Sequence, residues 1–163
     1  MSRGIHHIGV ATHDMEATLE FYEDVLGFPA VVCEMIELSV GGVIRHAFFD
    51  TGGGELIAFM EANDVPGMST DFDAGINRGL GTGPGMYHFA FAAADPEDLA
   101  RKHADLEAKG VKVRGIVDHG WCQSIYFHDP NFLQLEFCCL SGPLDEKRRA
   151  GRFDEAWKRL SRR

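Results

Sequence analysis

GIHHIGVA at residues 4–11 and GMYHFAFA at residues 85–92 are the two stretches that decide the fold. They lie 81 residues apart in a chain of 163, and each continues into an acidic helix start at Asp14 or Asp95. Such self-similarity indicates an internal repeat. Aspartate is a frequent N-cap, and we expect the two helices to end at Gly27 and Gly110.

Each half of the repeat is predicted to fold as one strand, one helix and three further strands. Val, Ile, Phe and Tyr are common in the later strands, and glycine-rich turns separate them. The helices are predicted at 14–26 and 95–109, and the later strands at 30–38, 43–50, 54–61, 111–117, 122–128 and 132–140. Neither half buries a helix-covered sheet well alone, so we expect the two to pair in an α+β fold.

Residues 1–141 are therefore expected to form a single domain of two paired modules, at about 1–62 and 85–141. The linker at 63–84 mixes glycine and proline with apolar residues, which is typical of a segment that covers a site or a subunit interface. Residues 142–163 hold eight basic and four acidic residues and are predicted to form an amphipathic helical tail. We expect the tail to dock on its own domain or on a partner subunit, and we expect a homodimer.

Composition narrows the function classes. The net charge of −9, with histidine counted as neutral, argues against a nucleic-acid binder and an anionic membrane surface. No apolar run is long enough to span a membrane, and the N-terminus lacks the apolar core of a signal peptide, so we expect a soluble cytoplasmic protein that binds a small molecule. The four cysteines form no Cys-x-x-Cys pair, which favours reduced thiols over disulfides or thiolate-bound zinc.

Three polar side chains are predicted to share one concave surface. Side chains alternate along a strand, and the apolar sets must pack under the helices, which leaves His7, His88 and Glu136 on the opposite face. A carboxylate on an otherwise apolar strand is costly unless it is paired or bound to a metal. Two equivalent histidines with one carboxylate favour an open metal site over two structural histidines.

The chain resembles the vicinal oxygen chelate superfamily, whose members include glyoxalase I, extradiol dioxygenases, methylmalonyl-CoA epimerase, fosfomycin-resistance enzymes and bleomycin-resistance proteins. The resemblance covers about 1–141 and implies two βαβββ modules, each curling a sheet around half of a metal-binding cavity. It is carried by GIHHIGV at 4–10, FYEDVLGF at 21–28, YHFAF at 87–91, SIYFHDPN at 124–131 and LEF at 135–137.

The resemblance implies His7, His88 and Glu136 as the metal ligands. Glyoxalase I and the epimerase have a fourth ligand, and alignment of LIAF at 56–59 with QLEF at 134–137 puts Ala58 at that position. This alignment needs a one-residue gap in the glycine run, and without the gap Ile57, which also cannot bind a metal, takes the position. Alanine cannot bind a metal, so the set of two histidines and one glutamate resembles that of the extradiol dioxygenases. This set leaves one octahedral face open and favours Fe(II), with Mn, Zn, Ni and Co as the alternative ions.

Three further residues are candidates for handling protons: Tyr126, His119 and Glu55. Tyr126 lies ten residues before Glu136, where extradiol enzymes often have a tyrosine that hydrogen-bonds a substrate oxygen. His119 lies on the loop before that strand and is either an acid–base group or an exposed loop histidine. Glu55 occupies a position where two-domain extradiol enzymes use a histidine. That departure makes it either a base or a solvated carboxylate.

We therefore expect a metal-dependent enzyme with an extradiol-dioxygenase type of site, acting on a small, chelating, aromatic diol-like substrate. Two alternatives stay open. A lyase, isomerase or epimerase would use the same site without oxygen, with Glu136 or Glu55 moving a proton, although Ala58 argues against it. A non-catalytic drug-binding protein is the other alternative, although three retained ligands argue against it.

Overall fold

The computed structural model describes residues 4–146 together with residues 150 and 159. Strand, helix and three strands follow one another twice, with a short helix in the linker. The first module contains β1 (His7–Ala11), α1 (Met15–Glu20), β2 (Ala30–Glu37), β3 (Val43–Asp50) and β4 (Leu56–Asn63), and the linker contains α2 (Ile76–Gly79). The second module contains β5 (Phe89–Ala92), α3 (Pro96–Ala108), β6 (Arg114–Asp118), β7 (Cys122–His128) and β8 (Gln134–Leu140). The predicted α+β fold of two βαβββ modules is confirmed.

Each module forms its own four-stranded mixed sheet, in the order β1-β4-β3-β2 or β5-β8-β7-β6. The outer strands β1 and β5 run parallel to β4 and β8, and the other pairs are antiparallel. Gly9 lies opposite Ala58 in the first sheet, and Ala90 lies opposite Glu136 in the second. Because Gly9 and Ala90 are equivalent in the repeat, this register confirms the predicted alignment of Ala58 with Glu136.

Both long helices begin as the sequence predicts. The Asp14 carboxylate accepts a hydrogen bond from the Ala17 N–H at 2.9 Å, and Asp95 caps α3 in the same way. The prediction of one regular helix to residue 26 is wrong, because the chain continues from α1 as a π-helical turn over Phe21–Val25. Gly27 ends the turn with φ +74°, a left-handed conformation that favours glycine.

Strand ends and the linker also differ from the predictions. Strand β5 begins at Phe89, so His88 lies one residue before the strand, where the chain leaves the turn at Gly85. Strand β6 begins at Arg114, three residues later than expected. The linker contains α2, which its glycine-rich sequence did not predict, since tertiary context overrides weak local propensity.

The two modules share one hydrophobic core and a buried polar contact. Phe28, after the first helix, packs its ring 4.9 Å from that of Phe91 in β5, measured between ring centroids. In the polar contact, Tyr22 Oη donates to Asp129 Oδ2 at 3.3 Å, and Thr12 Oγ1 donates to Asn131 Oδ1 at 2.8 Å. These bonds tie the segments on either side of α1 to the turn between β7 and β8.

Within the described residues, no helix has the length and apolar character needed to cross a membrane. The cytoplasmic location stays a prediction, as do the domain boundaries. Most of the predicted helical tail of 142–163 lies outside the described residues, which omit 147–149, 151–158 and 160–163.

Candidate metal and substrate site

A buried carboxylate lies at the centre of the second sheet. Glu136 on β8 is 5% exposed, and its Oε2 lies 3.1 Å from His88 Nε2. Its other oxygen, Oε1, accepts a 2.5 Å hydrogen bond from the Ser124 hydroxyl on β7. Oε1 therefore has a donor, whereas Oε2 faces a ring nitrogen whose role depends on the protonation of His88.

The orientation of His88 suits metal binding. Its Nδ1 lies 2.9 Å from the Gly85 carbonyl oxygen, and because a carbonyl only accepts, Nδ1 carries the proton. In the neutral ring the Nε2 lone pair then faces Glu136 Oε2, so two acceptors meet unless a proton or a cation lies between them. Ligand atoms about 2.1 Å from a metal and at right angles are about 3.0 Å apart, close to the observed 3.1 Å. The donor chemistry and spacing of this pair fit a divalent cation.

Tyr126 and His119 form a hydrogen-bonded pair beside His88. Tyr126 lies opposite Glu136 in the sheet, its Oη is 2.9 Å from His119 Nε2, and its ring centroid is 6.4 Å from that of His88. Burial raises the pKa of the Tyr126 phenol, and the Glu136 carboxylate adds to the rise while the Ser124 hydroxyl opposes it. Tyr126 therefore keeps its proton at neutral pH and can donate it to a hydrogen bond.

His7 lies on the first sheet, apart from this group. Its Nδ1 is 2.8 Å from His6 Nδ1, and its ring packs 5.5 Å from Phe48. Phe48 lies opposite Ala58 in the first sheet, just as Tyr126 lies opposite Glu136 in the second. The first module therefore has a histidine, His7, and an aromatic ring at the positions equivalent to His88 and Tyr126, but it has no carboxylate at the position equivalent to Glu136. Within the described part of one chain, no three His, Cys, Asp or Glu side chains come together to hold a metal ion.

Glu55 lies between the glycine turn and β4, at the rim of a cavity of about 950 Å³ between the modules. The cavity lining is mostly apolar and includes His88. The structure thus brings Glu55 and His88 to one cavity. The role of Glu55 as a base stays a prediction.

Ser124 is the residue of this site that the sequence analysis missed. It lies two residues before Tyr126 on β7, so strand alternation puts both on the same face as Glu136. That alternation was the available signal. Nearby, burial raises the pKa of the Cys122 thiol to about 11, and all four cysteines are free thiols in the structure. The thiol is therefore protonated at neutral pH and competes poorly for a metal.

Curated proteins are similar to this chain in sequence. The chain is 28% identical over 134 residues to "Putative ring-cleaving dioxygenase MhqA" of Bacillus subtilis, which covers 82% of this chain and 39% of that protein. It is 33% identical over 61 residues to "Biphenyl-2,3-diol 1,2-dioxygenase 2" of Rhodococcus globerulus, over 36% of this chain and 32% of that one. The chain thus spans less than half the length of these curated relatives.

A solved structure, the fosfomycin resistance protein FosX of Listeria monocytogenes with Mn(II) and sulfate, aligns with a TM-score of 0.57 at 20% identity. The alignment covers 94% of this chain and all of that one, and shows a shared fold. The Glyoxalase/Bleomycin resistance protein/Dioxygenase superfamily model matches residues 4–137. Repeat, sheet topology and sequence match agree that the chain belongs to this superfamily.

Proposed function

We propose that the protein is a metal-dependent dioxygenase of the extradiol type, which acts on a small aromatic diol-like substrate. The observation that carries this proposal is the Tyr126–His119 hydrogen bond beside the His88–Glu136 pair. A ligand pair and a proton-transfer pair on one sheet face are what cleavage of a chelating phenol needs. The two similarities to ring-cleaving and diol dioxygenases support the same reaction class.

His88, Glu136 and His7 would hold the metal, for which Fe(II) is the favoured ion. When bound, the metal would supply Lewis acidity and a template for two substrate oxygens and dioxygen. Ala58 lies opposite Gly9 in the first sheet, at the position that Glu136 occupies opposite Ala90 in the second sheet. Alanine offers no fourth ligand there. Three ligands would leave three octahedral positions for the reactants.

A homodimer would complete the ligand set. One chain gathers His88 and Glu136 but leaves His7 on the other sheet, and we assign the third ligand to His7 of the partner subunit. A mixture of His7→Ala and Glu136→Ala chains tests this arrangement. Mixed dimers regain one complete site and bind metal, whereas sites built within one chain regain none.

The proton chemistry falls to the side chains beside the metal ligands. Burial raises the pKa of the Tyr126 phenol, so the phenol stays protonated and can donate to one acceptor at a time. Tyr126 would take a proton from the substrate onto its oxygen while passing its own proton to His119 Nε2, 2.9 Å away, and the reverse transfer would return it. Glu55 lines the same cavity as His88 and would be the second base.

Oxygen uptake after anaerobic loading with Fe(II) tests the reaction on a panel of catechols and hydroquinones. We expect uptake by the wild type, a loss of about 100-fold in His119→Ala and Tyr126→Phe, and no change in His103→Ala. His103 is a matched control because it lies on α3, outside the site. Turnover of an α-keto hemithioacetal or an acyl-CoA epimer without oxygen uptake would assign the protein to the lyases or isomerases instead.

A non-catalytic small-molecule binding protein is the second candidate, favoured by the incomplete ligand set of the single chain. Metal analysis of the purified protein separates the two. Less than one metal ion per site, with ligand binding unaffected by His88→Ala, would favour the binding protein.

A further inference from the structure

The two oxygens of the Glu136 carboxylate have different partners. Oε1 accepts the Ser124 hydroxyl at 2.5 Å, and Oε2 faces His88 Nε2 at 3.1 Å. Ser124 is fully buried and Glu136 nearly so, so water does not replace this bond. A short O–H···O⁻ bond to a buried carboxylate belongs to the strong, charge-assisted class.

We propose that Ser124 holds Glu136 to metal binding through Oε2 alone. A carboxylate can bind a cation through one oxygen or both. Binding through both would require Oε1 to turn towards the metal and give up the Ser124 hydroxyl. That exchange is costly for a buried donor, which would be left without an acceptor.

Coordination through one oxygen matters because the proposed reaction needs three free positions. Three single-atom ligands leave three of six octahedral positions, enough for two substrate oxygens and dioxygen. A carboxylate bound through both oxygens would occupy a further position and exclude one reactant. Ser124 is thus a positioning residue that keeps the site open, an inference that rests on the proposed function.

The first module supports this assignment by contrast. The counterpart of Ser124 there is His46, which lies opposite Met60 as Ser124 lies opposite Cys138. His46 contacts Glu34 at 3.1 Å instead, and Ala58 replaces the carboxylate. The serine therefore occurs in the module that carries the ligand carboxylate, and its partner is that carboxylate.

Mn(II) serves as the probe, since its effect on water proton relaxation reports how many exchangeable waters it keeps. We expect the inner-sphere relaxation of the Mn(II)-loaded protein to fall by about one third in Ser124→Ala, because one of three open positions is lost. Ser124→Thr keeps the hydroxyl and the wild-type value. Ser141→Ala, a change at an exposed serine after β8, is the matched control and keeps that value as well. Where the alanine variant does not fold, Ser124→Cys gives the same loss, since a thiol is a weak donor.

Equal relaxation in the wild type and the alanine variant, with Mn(II) bound to both, overturns the role of Ser124 and leaves the metal site intact. A wild type whose Mn(II) binding is unaffected by His88→Ala and Glu136→Ala overturns the proposed function, and this inference with it. A lower oxygen-uptake rate in Ser124→Ala, rescued in Ser124→Thr, supports both.

Discussion

Ionisation of Asp129 should destabilise the folded protein as pH rises. Its carboxylate accepts from the Leu133 N–H at 2.8 Å and from Tyr22 Oη at 3.3 Å. Burial nevertheless raises its pKa from 3.8 to about 6, because the charged form loses more hydration than these donors restore. The raised pKa means that the folded state prefers the protonated carboxyl.

The magnitude follows from linkage. A rise from 3.8 to about 6 corresponds to about 3 kcal/mol of stability. This stability is fully present below pH 3.8 and is lost as pH rises through about 6. The Asp129→Asn variant cannot titrate, so wild-type stability minus variant stability should fall by about 2.4 kcal/mol between pH 4 and pH 7.5.

Urea unfolding of both proteins at several pH values, followed by tryptophan fluorescence, measures that difference. Subtraction removes the contribution of the other carboxylates, which titrate equally in both proteins. Asp98→Asn is a control of opposite sign, because the Ala94 N–H lowers the pKa of Asp98, whose stabilising effect is lost as pH falls. A difference between wild type and Asp129→Asn that stays constant with pH would refute the reasoning.

Three further outcomes are expected. Glu136→Gln removes the proposed anionic ligand and should weaken metal binding more than about 100-fold in a chelator competition, while thermal unfolding confirms that the variant folds. Glu61→Gln should lower the free energy of unfolding in urea by about 1 kcal/mol at neutral pH, since the buried Glu61 pairs with Arg45. This loss should shrink as pH falls through the lowered pKa of Glu61, and a loss that stays constant with pH would contradict the assignment. Gly27→Ala should cost about 1 kcal/mol, since φ is +74° and nothing lies near an added Cβ; a neutral result would contradict the backbone argument.

The repeat in the sequence was sufficient to predict the architecture. Two copies of a strand motif, each followed by an aspartate N-cap and a terminating glycine, indicated both modules and the equivalence of Ala58 with Glu136. These features are local or depend on strand alternation, which a sequence records directly.

The contacts between side chains on different strands were harder to predict from the sequence. Alternation assigns a face to Ser124 and Glu136, but only the register of β7 against β8 brings their oxygens to 2.5 Å. The separation of His7 from His88 likewise depends on how the two sheets pack, which no local pattern encodes. The π-helical turn after α1 was not predicted, because its apolar residues keep the periodicity of a regular helix.

The replacement of Glu136 by Ala58 in the first module has a consequence for stoichiometry. An evenly duplicated chain would offer two half-sites, and a dimer of such chains would offer four. With one such carboxylate per chain, we expect titration to saturate at one metal ion per chain, leaving β2, β3 and β4 free to vary in shape while β1 keeps His7, the proposed third ligand. Divergence among relatives that keep the metal should therefore concentrate on β2, β3 and β4, and the second sheet should change least.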